Sequence, residues 1–374
     1  MVWKFSSPSR KVTSLVMLLA QVPGLAAGQA GDAPRAGAEP PSREQPLFAV
    51  VPAAISVAPG LLLHGLGPLA EGDVQLAKWL FAMEGTGLAL LVGAGAPIYL
   101  SGQTRQFAGP LYTLALTGAG LFSISALANL YAAVGPAFPP GVAPARLPPL
   151  ELEVGYQHVV DASFPQRHAF VSLGAVARVE HVRLEAGARV SPDDGNLRVR
   201  VGGAYRLLGE PEGALGGADG TALDVELAAL VHRFPSEGFT LGGGEVFLRG
   251  RHAMARLSPR LAGTFAEMGV GLALQHFVFD GPGVDDSLND ALLFTFGYGV
   301  YLGRGGPLRG EALLYYDHRK DDFPGAVKNV GGVPLGYFGL RGRVLLTARW
   351  GLSADLQVGS AWVGRVSLVY ALMP

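Results

Sequence analysis

The chain has 374 residues and contains no cysteine. Without thiols it can form neither a disulfide nor a thiolate metal site, and it has no cysteine nucleophile or lipidation site. Charge is also scarce, since only 16% of residues are Asp, Glu, Lys or Arg, against about 25% in ordinary soluble domains. A net charge of −1 provides no basic surface for nucleic acid. The low charge content and a mean hydropathy of +0.31 favour contact with lipid or extensive burial.

Catalytic motifs are missing as well. The sequence has no His-Glu-x-x-His metal site, no Gly-x-Ser-x-Gly nucleophile elbow, no P-loop and no dinucleotide-binding fingerprint between a strand and a helix. A membrane lipid hydrolase would need a Ser, a His and an orienting polar residue on neighbouring strands, and the spacing of the scattered histidines does not assemble that set. We therefore predict no catalytic residue, no cofactor and no metal site, and keep a lipid hydrolase as a lesser alternative.

Residues 1–30 have the features of an export signal. Basic residues such as Lys4 and Arg10 precede an apolar stretch at 12–20, and small residues follow a Pro-Gly break. An uncleaved anchor helix is the alternative. Residues 31–46 are rich in Pro, Ala, Glu and Arg and are predicted to form a linker, because such a composition buries little apolar surface.

Residues 47–134 are apolar without a regular alternation. Two stretches within them, Val74–Leu100 and Gly109–Val134, are long enough to span a bilayer. Both are rich in Gly, Ala, Ser and Thr, which let helices approach one another closely, and a polar turn separates them. This predicts a helical hairpin preceded by a shorter apolar element. A second Pro-rich linker, residues 135–150, follows.

Three polar residues of this region are candidates for function. His64 and Asp73 lie in a Gly-rich turn and Glu84 lies in an apolar helix, and polar groups in membrane segments are often functional. The alternative is structural. Asp73 would cap the helix that follows it, His64 would lie at the membrane interface, and Glu84 would satisfy its neighbours.

From residue 151 to residue 374 the sequence alternates between apolar and polar residues. In the segment 182–190, for example, Val, Leu and Ala alternate with Arg, Glu and Gly. A period of two gives a strand one apolar and one polar face, as transmembrane barrels require. We predict an all-β antiparallel transmembrane barrel of about 12 strands, preceded by a small α-helical apolar domain. The runs start near residues 151, 168, 181, 196, 221, 241, 264, 291, 308, 334, 352 and 363.

Charged residues of these runs fall on the predicted inward face. They could line a water-filled pore, or they could pair with one another and fill a narrow barrel, and we prefer the narrow or filled interior. The candidate lumen-lining residues are Arg183, Glu185, Arg198, Arg200, Asp224, Glu226, Glu245, Arg249, Glu267, Arg309, Glu311, Arg341, Arg343 and Asp355. Aromatic residues near the run ends are predicted to join the girdles at the membrane surfaces: Tyr298, Tyr301, Tyr315, Tyr337, Phe338, Trp350, Trp362 and Tyr370.

On this alternation, residues 151–374 resemble bacterial outer-membrane β-barrel proteins as a broad class. Such barrels usually end on an aromatic residue, whereas this chain ends on Pro374 with Tyr370 nearby. The segment 59–73, Pro-Gly-Leu-Leu-Leu-His-Gly-Leu-Gly-Pro followed by Glu-Gly-Asp, is similar to small bacterial membrane domains in which a Pro-Gly-rich turn separates two apolar helices.

The resemblance implies an outer-membrane protein in contact with membrane lipid. It would pass small solutes passively or have a structural or assembly role in the envelope. Two other architectures remain open. A soluble β-sandwich also alternates, and an inner-membrane anchor could carry a periplasmic β-domain that binds a partner, because long apolar helices are normally retained in the inner membrane. If the barrel is right, the hairpin would dock against it or inside it.

Overall fold

The structure, a computed structural model, describes residues 59–372 apart from residue 61 and the segments 102–104, 136–138, 145–146, 162–166, 213–218, 236–238, 280–286, 305–307 and 320–335. The predicted signal peptide, the first linker and most of the short apolar element before the hairpin lie outside the described residues.

Twelve antiparallel strands form one closed barrel, in which each strand pairs with its neighbours in sequence and β1 pairs with β12. This confirms the predicted fold and replaces the β-sandwich. The strands are β1 Leu150–Asp161, β2 Arg167–Val179, β3 Val182–Val190, β4 Leu197–Leu208, β5 Ala222–Arg233, β6 Phe239–Ala253, β7 Thr264–Phe279, β8 Ser287–Leu302, β9 Arg309–Asp317, β10 Tyr337–Leu345, β11 Trp350–Val358 and β12 Ala361–Leu372.

This sheet can lie in lipid because the barrel is closed and because apolar and polar residues alternate along its strands. The β1–β12 pairing runs from Leu150 opposite Leu372 to Asp161 opposite Ala361, so neither terminal strand leaves an unpaired edge. Alternate residues form an apolar outer face on which side chains such as Leu227 are more than half exposed. We call the end of the barrel that carries Leu150 and Leu372 the terminal rim.

The helical region consists of α1 (Leu66–Ala70), α2 (Val74–Ser101) and α3 (Arg105–Val134). Both longer helices are long and apolar enough to cross a membrane, which confirms the predicted apolar helices before the barrel. They pack through glycines, since a Cβ atom on Gly118 would lie 2.5 Å from the carbonyl oxygen of Gly87. Backbones can approach this closely only where side chains are absent.

The hairpin packs against the outside of the barrel wall. A Cβ atom on Gly120 of α3 would lie 3.0 Å from the side chains of Met268 and Phe296, which are outward residues of β7 and β8. Tyr131 Oη donates a hydrogen bond of 2.9 Å to the carbonyl oxygen of Ala262. Of the two arrangements considered for the hairpin, the structure therefore has the external one.

The main buried core fills the space between the hairpin, the barrel wall and two short 3-10 turns, Met254–Arg256 and Pro259–Leu261, which connect β6 to β7. It includes Leu76, Leu80, Ile124, Ala128, Met254, Leu261 and Tyr298. Burying these apolar side chains fixes the hairpin to the terminal-rim half of the wall, since each contributes roughly 1.5–3 kcal/mol when fully buried.

Candidate functional site

The polar face of the strands points into the barrel, where side chains from non-adjacent strands meet. Arg183 of β3 reaches Glu226 of β5 with a nitrogen-to-oxygen distance of 3.1 Å. Arg251 of β6 reaches Glu311 of β9 at 2.7 Å. Only side chains on the concave side of a closed sheet can bridge strands in this way, so these residues lie in the lumen.

All fourteen candidate lumen residues occupy inward positions. Most form ion pairs within 4.0 Å: Arg183, Glu185, Arg200, Asp224, Glu226, Glu245, Arg249, Glu267, Glu311, Arg343 and Asp355. Arg341 lies over the ring of Tyr315, with its guanidinium carbon 5.6 Å from the ring centre. Arg198 and Arg309 occupy the inward register of β4 and β9.

Further charges in the lumen were not among the candidates. Arg178, Arg206, Arg251, Glu151, Glu153 and Arg365 lie at inward strand positions. Extending the period of two along the whole of each strand would have found these six. Two others, Glu212 and Arg319, come from connections between strands, where no periodicity indicates which way a side chain points.

Glu212 closes part of the terminal rim. Its carboxylate accepts hydrogen bonds from Arg178 at 2.7 Å, from Arg183 at 2.7 Å and from Arg206 at 3.0 Å. Burial raises the pKa of Glu212, but Arg183 and Arg178 outweigh that effect and hold the pKa below its ordinary value. The residue therefore stays ionised and joins β2, β3 and β4 at the mouth of the barrel. We call this group the Glu212 latch.

The linker between α3 and β1 crosses the same mouth, and we call its residues 139–144 and 147–149 the strap. Val142 N–H donates to the carbonyl oxygen of Gly303 at 3.0 Å, and Leu147 N–H donates to that of Glu212 at 3.1 Å. Ala143 packs against an interior aromatic cluster that contains Tyr301. The strap thus runs from the end of β8 to the start of β1 and is fastened to the latch.

The lumen is filled unevenly. On the side of β7 to β10, a buried cluster of Phe265, Tyr301, Leu313, Tyr315 and Tyr337 occupies the interior, and the Arg251 guanidinium carbon lies 4.1 Å from the ring centre of Phe265. A second cluster contains Phe247, Ala273 and Leu293. Little space remains beside these strands.

These clusters correct the prediction of aromatic girdles. Tyr301, Tyr315 and Tyr337 are buried inside the barrel, because they share the inward register with the charged residues of their strands. Tyr298 lies beneath the hairpin, with its ring centre 6.5 Å from that of Tyr131. The outward, exposed positions predicted for girdle residues are found for Phe338, Trp350 and Trp362.

The opposite wall, formed by β1, β2 and β3, has glycines at inward positions in its middle, whereas Phe170 and Val159 form a buried cluster towards the end away from the terminal rim. Gly174 and Gly187 pair across β2 and β3, and a Cβ atom on Gly187 would meet only a backbone oxygen, at 3.8 Å. A cavity of about 200 Å³ lies beside them, lined by polar residues that include Glu151, Glu153, Ser172, Glu185, Arg200, Arg343 and Arg365. Open volume in the described lumen is thus found along the wall where glycine replaces larger residues.

The structure brings two of the three hairpin candidates together. His64 N–H donates to Glu84 Oε2 at 2.9 Å, and His64 Nδ1 lies 2.6 Å from Ser125 Oγ. Ser125 Oγ also donates to the carbonyl oxygen of Phe122 at 2.8 Å. All three polar side chains are buried. The group ties the Gly-rich turn to both long helices.

Asp73 has a different role from the other two. Its Oδ1 accepts a hydrogen bond of 3.0 Å from Leu76 N–H at the start of α2, which is the geometry of an N-terminal cap. Its Oδ2 accepts a hydrogen bond of 3.0 Å from Ser258 Oγ in the β6–β7 connection. Asp73 therefore fastens the hairpin to the barrel.

In the part of the chain that the structure describes, no three His, Asp or Glu side chains lie close enough together to hold a metal ion. The charged groups are instead arranged as alternating cations and anions, which can bind polar solutes or stabilise one another.

A closed antiparallel barrel of even strand number, apolar outside and charged inside, is the architecture of bacterial outer-membrane β-barrel proteins. This chain has that architecture, and barrels of this kind reside in the outer membrane. No family model matches the sequence, and no curated protein matches it either.

Solved structures with a similar arrangement include barrels of different kinds. A KdgM porin aligns with 59% of this chain and 99% of its own, at 10% identity and a TM-score of 0.34. The translocator domain of autotransporter NalP from Neisseria meningitidis aligns with 60% of this chain and 88% of its own, at 14% identity and 0.33. The outer-membrane protein Omp33 of Acinetobacter baumannii aligns with 61% and 100%, at 7% identity and 0.30. Similarity at this level does not specify a function.

Proposed function

We propose that this protein conducts small hydrophilic solutes across the outer membrane, through a narrow passage along the wall of β1 to β3. The observation that carries the proposal is the uneven filling of the lumen. Aromatic side chains occupy the interior beside β7 to β10, whereas Gly174 and Gly187 leave a cavity with polar lining on the other side. Water and small polar solutes can occupy such a space, because its charged groups replace part of their hydration.

The terminal rim limits this passage. The Glu212 latch and the strap lie across the mouth, so the protein as described is a barrel of low conductance. Both closures consist of hydrogen bonds and ion pairs, which can break and reform without unfolding the strands. The passage is therefore expected to open in steps rather than to conduct continuously.

A structural role in the envelope is the second candidate. It is favoured by the ion pairs that link non-adjacent strands across the lumen, such as Arg251 with Glu311, and by the external hairpin, which enlarges the membrane-embedded surface. This candidate requires a stable barrel and no conductance.

Planar-bilayer recording of the purified full-length protein separates the two candidates. We expect small unitary conductance steps in KCl, and we expect Gly187→Trp to reduce them at least about threefold, because the indole would extend into the cavity and narrow a polar passage. Gly364→Trp is the matched control. Gly364 lies at an outward position of β12 with no atom within 4 Å of its Cβ position, so the indole would enter lipid.

Heat modifiability on gels would establish that each variant still forms a barrel. Equal conductance in Gly187→Trp and Gly364→Trp would show that the β1–β3 wall does not line the passage. A folded, heat-modifiable barrel with no conductance at all would support the structural candidate instead.

A further inference from the structure

We infer that the cavity beside β1, β2 and β3 binds a small zwitterion of the amino-acid type, with its ammonium group at Glu153 and its carboxylate at Arg365. The inference rests on the proposed passage, because the solute must reach the cavity through it. Three features carry the inference: an acid without a cationic partner, a loosely paired base and a cavity with room for a small organic solute.

Glu153 is the acid. Its Oε1 accepts a hydrogen bond of 2.9 Å from Ser353 Oγ, and in the described part of the chain no basic group lies within 4.0 Å of its carboxylate. Its neighbour Glu151 differs, since it pairs with both Arg178 and Arg343. A carboxylate that lines a cavity without a counter-charge attracts a cationic group from the solute.

Arg365 is the base. Its nearest acidic partner is Asp355, with a nitrogen-to-oxygen distance of 3.6 Å, and its side chain is 36% exposed. Asp355 already accepts hydrogen bonds from Tyr315 and Gln357. The guanidinium group therefore keeps most of its five donors for a solute, and its planar fork matches a carboxylate.

The cavity that Glu153 and Arg365 line has room for a small organic solute, since its volume is about 200 Å³. A simple anion would leave Glu153 without a partner, and a simple cation would leave Arg365 loosely paired. A zwitterion satisfies both groups at once, because Glu153 and Arg365 lie on two neighbouring strands and line one cavity.

The test is solute entry into proteoliposomes that contain the full-length protein, measured by swelling. L-Glutamine, L-glutamate and L-lysine have similar size and differ in net charge. We expect glutamine to enter about threefold faster than either charged solute, the modest factor typical of partly exposed ion pairs. KCl conductance and the entry of arabinose, a neutral sugar, are measured on the same preparation.

Two variants shift the selectivity in opposite directions. Glu153→Gln removes the site for the ammonium group, so the preference should move from glutamine towards glutamate. Arg365→Gln removes the site for the carboxylate, so the preference should move towards lysine. Arg349→Gln changes an exposed charge in the β10–β11 turn, outside the lumen, and should leave all three entry rates unchanged.

The two proposals fail in distinguishable ways. If KCl and arabinose pass but glutamine, glutamate and lysine enter at equal rates, the zwitterion site is overturned and the passage stands. If nothing passes, the passage is overturned. The site is then tested in detergent by magnetisation transfer from the protein to glutamine, and a signal that is absent, or unchanged in both Glu153→Gln and Arg365→Gln, overturns the site as well.

Discussion

At the terminal rim, Glu212 joins three arginines that belong to three different strands. Replacing Glu212 with Gln removes the charge and turns one of the two acceptor oxygens into an NH₂ donor that would face an arginine. We expect the latch to weaken by about 2 kcal/mol, since hydrogen bonds to charged groups contribute about 1.5–3 kcal/mol each. This corresponds to a roughly 30-fold shift from closed towards open events, measured as open probability in bilayer recordings.

Glu210→Gln is the control for this variant, because Glu210 is exposed and its side chain takes no part in the latch; only its carbonyl oxygen accepts a hydrogen bond from Arg206. An unchanged open probability in Glu212→Gln would mean that the latch does not limit the passage.

The same residue gives the latch a pH dependence. The pKa of Glu212 is lowered in the folded protein, so the ionised form is favoured by the native contacts. The latch is fully present above the ordinary carboxylate pKa of about 4.3, and it is lost as the pH falls through the lowered pKa. Open probability should therefore rise only in strongly acidic solution, and Glu212→Gln should remove that rise.

Single residues differ in how far the sequence predicts them. Glu226 and Glu267 lie in regular strands, so the period of two placed them on the inward face, where the structure has them. Glu212 and Arg319 lie in connections between strands. The direction in which their side chains point depends on contacts with charged residues that are distant in sequence. Such long-range pairing leaves no local pattern.

The hairpin is stabilised by a close backbone contact between α2 and α3. A Cβ atom on Gly118 would lie 2.5 Å from the Gly87 carbonyl oxygen, so Gly118→Leu must push α2 and α3 apart. Overpacking of this kind typically costs about 1–3 kcal/mol. We expect the variant to expose the helices to limited proteolysis at lower temperature than the wild type, while the barrel remains heat-modifiable.

Gly93→Leu is the matched control in the same hairpin. Gly93 lies in α2 with no atom within 4 Å of its Cβ position, so the added side chain would point to lipid and leave the helix contact intact. Equal protease resistance of both variants would contradict the glycine contact between the helices.

The sequence predicts the type and number of helices and strands better than it predicts how they pack against one another. The twelve observed strands begin within four residues of the predicted starts, because alternation is a local signal. The external docking of α3 on β7 and β8 depends on Gly120 meeting Met268 and Phe296. These residues are far apart in the chain, and nothing in their local sequence links them.

The whole molecule combines two kinds of membrane-spanning structure. Segments of α2 and α3 are 27 and 26 residues long and apolar, which exceeds the roughly 20 residues that cross a bilayer. They lie against strands whose outer face is also apolar, such as β7 with Leu272 60% exposed. The apolar surface therefore continues from the barrel onto the hairpin. It is removed from water when one bilayer surrounds both.

This topology resolves the conflict between long apolar helices and an exported barrel. Inner-membrane retention requires helices that are stable in lipid on their own, whereas Gly87, Gly118 and Gly120 expose backbone and bring little apolar area. Such helices gain much of their stability from contact with each other and with the barrel wall, which is available only after the strands have closed. The helices and the barrel are therefore expected to be inserted together.

Because the chain contains no cysteine, single-cysteine spin labels can test whether the hairpin lies in the bilayer. Val92 on α2 is 63% exposed, and Val246 on the outer face of β6 is 55% exposed. Spin labels at both positions should be accessible to oxygen dissolved in lipid and protected from a water-soluble nickel chelate. A label at Arg349, in an exposed turn, should show the reverse. If Val92 behaved like Arg349, the hairpin would lie outside the bilayer, and its apolar surface would need another partner. If it behaves like Val246, a single bilayer surrounds the helices and the barrel, and Asp73 with Ser258 then marks a polar fastening at the membrane surface.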